Sequence, residues 1–188
     1  MEIITESWLE EMLQLCQQKD VGMAGAKLYY PDDTIQHAGV VVGLGGVAAH
    51  VLCKLPRDAE GYMGRLRCVQ EISAVTAACM MVKTSVFKAV GGFDEELKVA
   101  FNDIDLCMKV RKYGVKIVFT PYAELYHYES KSRGMEDTPE KQLRFSREVN
   151  CFRRKWEREL LKGDPYYNPN LTLNNTDCSL RKQEKNGD

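Results

Sequence analysis

Gly91-Gly92-Phe93-Asp94-Glu95, followed by Phe101-Asn102-Asp103-Ile104-Asp105-Leu106-Cys107, is the stretch on which the fold reading turns. The glycine pair ends a short helix over 84–90, because glycine takes up the positive-φ conformations that stop helices at little steric cost. A second helix follows over 103–113. Asp103 and Asp105 fall in its first turn, where free amides and the helix dipole favour carboxylates. Asn102 is placed to cap it, and Gly114 stands at its C-terminal end. Two aspartates at a helix start are also common for purely local reasons.

Working back from this stretch, Gln70–Lys83 is apolar nearly throughout and reads as a buried central strand. Gly45 to about Cys68 is rich in glycine and charge and reads as a long loop, which a compact domain seldom carries without a use. Ile35–Leu44 and Val21–Tyr30 read as two strands joined by the turn Pro31-Asp32-Asp33-Thr34. Ser7 and Glu10 have the spacing of a capping box. Trp8, Leu9, Met12, Leu13 and Cys16 share one face of the helix they would open.

Forward of the stretch, Lys116–Thr120 makes a strand terminated by Pro121. Thr138-Pro139-Glu140 is a strong helix start. The helix carries Phe145, Val149, Phe152, Trp156 and Leu160 on one stripe and runs to about Lys162. From 163 to 188 the chain turns polar and reads as a partly disordered tail, leaving 1–162 as the domain. Mixed strands and helices in this order argue an α/β fold.

Composition narrows the function classes. The chain has 188 residues, 44% hydrophobic and 28% charged, with a net charge of -1. That is an ordinary globular composition with no overall pull toward nucleic acid or acidic membranes. No apolar run approaches the ~20 residues of a membrane span, and there is no signal-peptide pattern at Met1. Seven scattered cysteines without a CxxC pair suit a reducing compartment, so the expected location is cytoplasmic. Gly43-Leu44-Gly45-Gly46 lacks the spacing of a phosphate loop and reads as a glycine turn. His50, Cys53 and Cys68 fit no standard zinc spacing.

The strand Val75–Met80, the helix ending in Gly91-Gly92-Phe93-Asp94-Glu95, the Asn102-Asp103 pair opening a helix, Tyr113-Gly114 and His127-Tyr128-Glu129-Ser130 together resemble family 2 glycosyltransferases in order and spacing. The resemblance covers residues 1 to about 160. It implies the GT-A fold and a single inverting displacement, in which a sugar passes from a nucleotide-sugar donor to a saccharide acceptor in cell-surface polysaccharide synthesis. By the same resemblance Asp103 is the general base, and His127 is a ligand of the Mn²⁺ or Mg²⁺ that sits on the donor pyrophosphate. Lys131 and Arg133 are candidates for the pyrophosphate oxygens, or else for a solvated basic loop. Asp94, Glu95 and Asn102 are candidates for the acceptor side, with simple capping as the alternative for the first two. Asn102 replaces the glutamate common in the family's pair.

The resemblance also implies a nucleotide-binding half ending in an Asp-x-Asp element, which would precede a segment like Glu2–Met12. With the chain starting at Met1, the expectation is a partial GT-A domain, its N-terminal nucleotide-binding half absent, with little activity alone. An interrupted sheet leaves an unpaired edge, so a homo-oligomer is expected. Two other readings stay open at this stage. One is a non-catalytic interaction module derived from a glycosyltransferase. The other is a metal-dependent hydrolase using Asp103, Asp105 and His127.

Overall fold

A computed structural model of the chain describes residues 1–128 and 138–182. Its centre is the parallel pair β2 (Val21–Tyr29) and β8 (Lys116–Tyr126), every β2 residue being buried. Each member of the pair is flanked on its outer side by two short antiparallel strands. β7 (Met80–Val82) and β3 (Ile35–His37) lie along β2, while β6 (Gln70–Glu71) and β1 (Glu2–Ile3) lie along β8. A separate two-stranded hairpin joins β4 (Val40–Val42) to β5 (Ala48–His50). This mixed sheet flanked by helices is consistent with the GT-A-like architecture expected.

Alternation along the central strands divides the core into two faces. Ala24, Ala26 and Leu28 of β2, with Val118 and Leu125 of β8, pack against Met12, Leu15 and Cys16 of α1 (Trp8–Cys16). Met23, Ile117 and Phe119 face the other way, into the larger core. There they meet Leu106, Cys107 and Val110 of α3 (Asn102–Lys112) and Phe152 of α4 (Pro139–Lys155). Each such fully buried aliphatic or aromatic side chain contributes about 1.5–3 kcal/mol.

Several sequence expectations need correction. Ser7 makes no side-chain cap, because its backbone (φ -87°, ψ 22°) is not the extended conformation that a capping residue needs. The run Ile35–Leu44 is two strands in different sheets, broken at Gly39, whose φ is +106°. Gln70–Lys83 is not one central strand. Only its ends form strands, and Ile72 to Val75 between them are buried with a single isolated bridge, from Ala74 to Val40. This segment lies directly on β2, since a Cβ at Gly25 would stand 2.3 Å from Val75 Cγ1.

β8 does not stop at Pro121. Its pairing with β2 skips from Gly25–Phe119 to Lys27–Glu124, and the proline, which has no N–H to donate, occupies the skipped bulge. Phe101 rather than Asn102 precedes α3, and Asn102 is the first helical residue. Thr138 does cap α4, accepting from the Lys141 N–H at 3.3 Å. The long helix then breaks at Trp156 before α5 (Glu157–Lys162). α2 (Thr84–Ala89) stands where it is expected. The glycine turn is also as read, Gly43, Gly45 and Gly46 all having positive φ at the tip of the β4–β5 hairpin. Beyond Gly163 the chain folds back and contributes Tyr167, Leu171 and Cys178 to the larger core.

Candidate functional site

Asp103 is half-buried in the first turn of α3. One carboxylate oxygen accepts from the Ala77 N–H at 3.0 Å and the other from the Ile104 N–H at 2.9 Å. The approach to this helix is held from α4. Glu148, 3% exposed, accepts from the consecutive amides of Val99 (3.1 Å) and Ala100 (2.9 Å). Phe101 is held in a left-handed conformation (φ +62°), its ring 5.8 Å from Phe145 and 5.4 Å from Phe152. For a bulky residue that backbone is strained and persists only where packing enforces it.

Asp105 goes elsewhere. Two helical steps rotate a side chain by about 200°, and its carboxylate is fully enclosed beneath α4. There it accepts from Trp156 Nε1 (2.8 Å) and pairs with Lys155 (2.7 Å) and Lys109 (3.1 Å). Asp105 is thus an anchor for α4. Asp94 also pairs with Lys155, and that ammonium holds its carboxyl below the usual range. Glu95 is exposed and Asn102 half-buried. Lys131 and Arg133 lie outside the described residues.

His127 follows β8, its N–H donating to the Tyr29 carbonyl at 2.9 Å. It lines a pocket of about 310 Å³ together with Gln36, His50, Cys53, Thr76 and Thr176. Thr76 connects the two parts of the candidate site. It walls this pocket, while the next residue, Ala77, holds Asp103. Gln36 bonds His127 twice, its Oε1 lying 2.7 Å from the ring Nδ1 and its Nε2 donating to the main-chain carbonyl at 3.1 Å. The carbonyl of Gln36 lies 2.9 Å from His50 Nδ1.

Sequence reading missed Gln36 and Glu148. Strand alternation separates Gln36 from His37 and was the one available signal for the former. Glu148 has the look of any acid on a polar helix.

A larger concavity of about 640 Å³ opens at the far end of α3, beside Arg111, Lys112, Lys116 and Tyr166. Its charges are largely matched already, Lys116 with Asp20 and Glu71 and Lys112 with Glu159. The smaller pocket, walled by the residue before the one that braces Asp103, is the better candidate for chemistry.

A hard divalent cation takes several oxygen ligands. Among the described residues no group of three or more His, Cys, Asp or Glu side chains stands together in a metal-holding arrangement. Asp105, one of the three residues of the hydrolase reading, is committed to α4. Among the described residues no helix is long and apolar enough to cross a membrane.

A sequence model of the family described as "Glycosyltransferase like family 2" matches residues 2–148. An uncharacterized protein, y4gI, of Sinorhizobium fredii is 57% identical over 180 residues, which is 95% of this chain and 20% of that protein. The O-antigen biosynthesis protein RfbC of Myxococcus xanthus is 39% identical over 189 residues, covering 100% of this chain and 14% of RfbC. An N-acetylglucosaminyl-diphospho-decaprenol L-rhamnosyltransferase of Mycobacterium tuberculosis is 36% identical over 62 residues, 33% of this chain and 20% of that enzyme. The chain spans a fifth or less of the length of these curated relatives.

Proposed function

This chain belongs to glycosyltransferase-like family 2, and on that premise we propose that it carries the acceptor side of an inverting sugar transfer in polysaccharide synthesis, with Asp103 as general base. In this reading Asp103 takes the proton of an acceptor hydroxyl as that oxygen attacks the anomeric carbon of a nucleotide sugar. Proton transfer of this kind contributes roughly 10²–10⁴-fold. The observation that carries the proposal is the placement of Asp103. It is half-buried at a helix start and braced by Ala77, one residue from the wall of the His127 pocket.

His127 takes the donor side, and the names of RfbC and of the rhamnosyltransferase support a saccharide acceptor. Asn102 and Glu95 are assigned to the acceptor. Asp94, bound to Lys155, serves that side less directly. Lys131 and Arg133 are kept as pyrophosphate contacts. Mn²⁺ or Mg²⁺ belongs to the complete reaction, while the chemistry assigned to the described residues runs through Asp103. Little transfer by the 188-residue chain alone is part of the same proposal. Self-association through the sheet edge belongs to the same reading, both residues of edge strand β1 being exposed.

Calorimetric titration with UDP and dTDP, with and without Mn²⁺, is the test. Binding tighter than about a millimolar, ~4 kcal/mol, supports a donor site in this chain, and a transfer assay with Asp103→Asn then examines the base. No heat in any combination, together with unchanged transfer by Asp103→Asn in a longer active chain, sinks the proposal.

A further inference from the structure

The concavity at the far end of α3 has no part in the transfer reading, and its charges do not all cancel. Lys116 is held by Asp20 (2.9 Å) and Glu71 (2.7 Å), and Lys112 by Glu159 (3.2 Å). Arg111 and Lys162 line the same space and make no ion pair among the described residues. Glu159 senses Lys162 only from beyond ion-pair distance.

Arg111 is also fixed in place. Its Nη1 donates to Ser73 Oγ at 3.0 Å, and that serine is 1% exposed. Its guanidinium carbon lies 5.5 Å from the centre of the Tyr166 ring. The ring is tied in turn, its hydroxyl donating to Glu71 at 3.2 Å and its main-chain carbonyl accepting from Arg65 Nη1 at 2.9 Å. Among the described residues Nη1 alone carries the hydrogen bonds of Arg111, leaving Nε and Nη2. Those two N–H groups form one edge of the planar fork, the edge that matches two oxygens of an anion.

The floor differs in kind. Val42 and Met108 are buried and Val115 is half-buried there. At about 640 Å³ the space exceeds what a bare anion fills and falls in the range of organic-ligand pockets, ~300–1,000 Å³. The α3 dipole brings about half a negative charge to this end, less than either unpaired cation.

We infer that this concavity binds an organic phosphate monoester, its phosphate on Arg111 and Lys162 and its apolar or ring portion over Val42, Met108 and Val115. A dianion matches two uncompensated cations, where a carboxylate would neutralise one. The site lies eight residues along α3 from Asp103, about 12 Å at 1.5 Å per residue. It is a second site and does not rest on the transferase reading.

Amide-resolved NMR titration of the full chain with phenyl phosphate, inorganic phosphate and benzoate tests it. Phenyl phosphate should give saturable shifts at residues 111–116 and 163–166 and leave the amides of Ala77 and Ile104 unmoved. It should bind tighter than either other probe. Arg111→Gln, which keeps a donor for Ser73, should weaken binding roughly ten-fold. Lys162→Gln, at an exposed position, should weaken it about two- to five-fold. Asp103→Asn should bind phenyl phosphate as the wild type does, whatever becomes of transfer. Absence of saturable shifts in the millimolar range overturns the inference, as do shifts centred elsewhere or phenyl phosphate binding no tighter than inorganic phosphate. Unchanged affinity in both cation variants overturns it too. If Arg111→Gln fails to fold, Lys162→Gln and the wild-type shift map decide.

Discussion

Asp103 Oδ2 accepts a hydrogen bond from the Ala77 main-chain N–H at 3.0 Å, tying the candidate base to a segment 26 residues earlier in the chain. That segment pairs in no strand at Ala77, so the bond is part of what fixes it. Asp103→Asn keeps one oxygen for Ala77 but turns its amide nitrogen toward the Ile104 N–H, so in a longer active chain it should lose transfer while giving up only part of the bracing. Asp103→Ala should lose transfer too, and in addition about 1–2 kcal/mol of stability. Urea unfolding of the two variants side by side separates the chemical role from the bracing role. Equal stabilities would show that the Ala77 bond contributes nothing.

Glu148 holds the two amides before Phe101 with both of its carboxylate oxygens. Glu148→Ala leaves both amides without that acceptor in a nearly closed site, at a cost of about 2–4 kcal/mol. Glu148→Gln retains one acceptor oxygen and should lie roughly midway. Denaturant midpoints check the order. Near wild-type midpoints for both variants would mean that the Phe101 rings hold the turn unaided.

Asp105→Asn should be more damaging to stability than Asp103→Asn, by about 2–4 kcal/mol, because two lysines then face a neutral group at an enclosed position. Transfer per folded molecule should nevertheless survive, since Asp105 points beneath α4. In a longer active chain, a folded Asp105→Asn variant with no transfer would give this residue a part in the chemistry.

His37 supplies a pH signature. Burial, with the His50 ring beside it, holds its imidazole well below the ordinary 6.5. As pH falls through 6.5 the unfolded chain takes up a proton that the folded chain refuses. The contribution of His37 is therefore complete above that value and declines below it, by at most ~1.4 kcal/mol per pH unit. Thermal midpoints of the wild type and of His37→Gln, measured on both sides of pH 6.5, should show the steeper acid-side loss in the wild type. Parallel curves would contradict this.

Local chemistry was legible in the sequence, and direction in space was not. The start of α4 is written in Thr138 and Pro139, whose cap and fixed φ act within one turn. The Asn102–Asp103 helix start is similarly local, off by one residue because packing on Phe145 and Phe152 pushes Phe101 into the left-handed region. The apolar run Gln70–Lys83 misled, because a chain crossing a core must be apolar whether or not it pairs. Pro121 misled in the opposite sense, since a bulge can absorb a residue that a regular ladder rejects.

The same limit governs the site. Asp103 and Asp105 are equivalent in composition, yet one faces Ala77 and the other Trp156. Only the position of α4 decides between them. Gln36 carries no motif at all, and its importance comes from His127, 91 residues away, arriving beside it.

The segment after Gly163 has a practical consequence for anyone dividing this chain for expression. Composition turns polar there, and a cloning boundary would naturally be drawn at that glycine. Such a cut would remove Asp164, which accepts from the Val42 N–H at 2.8 Å, and Leu173, whose carbonyl accepts from the Gly45 N–H at 2.9 Å. The hairpin that presents His50 would lose its backing, and the pocket would lose Thr176 from its wall. A trimmed chain would then look inert in a binding assay for reasons of engineering and not of chemistry, so expression boundaries belong beyond Arg181, whose N–H still bonds the Asn170 carbonyl at 2.8 Å.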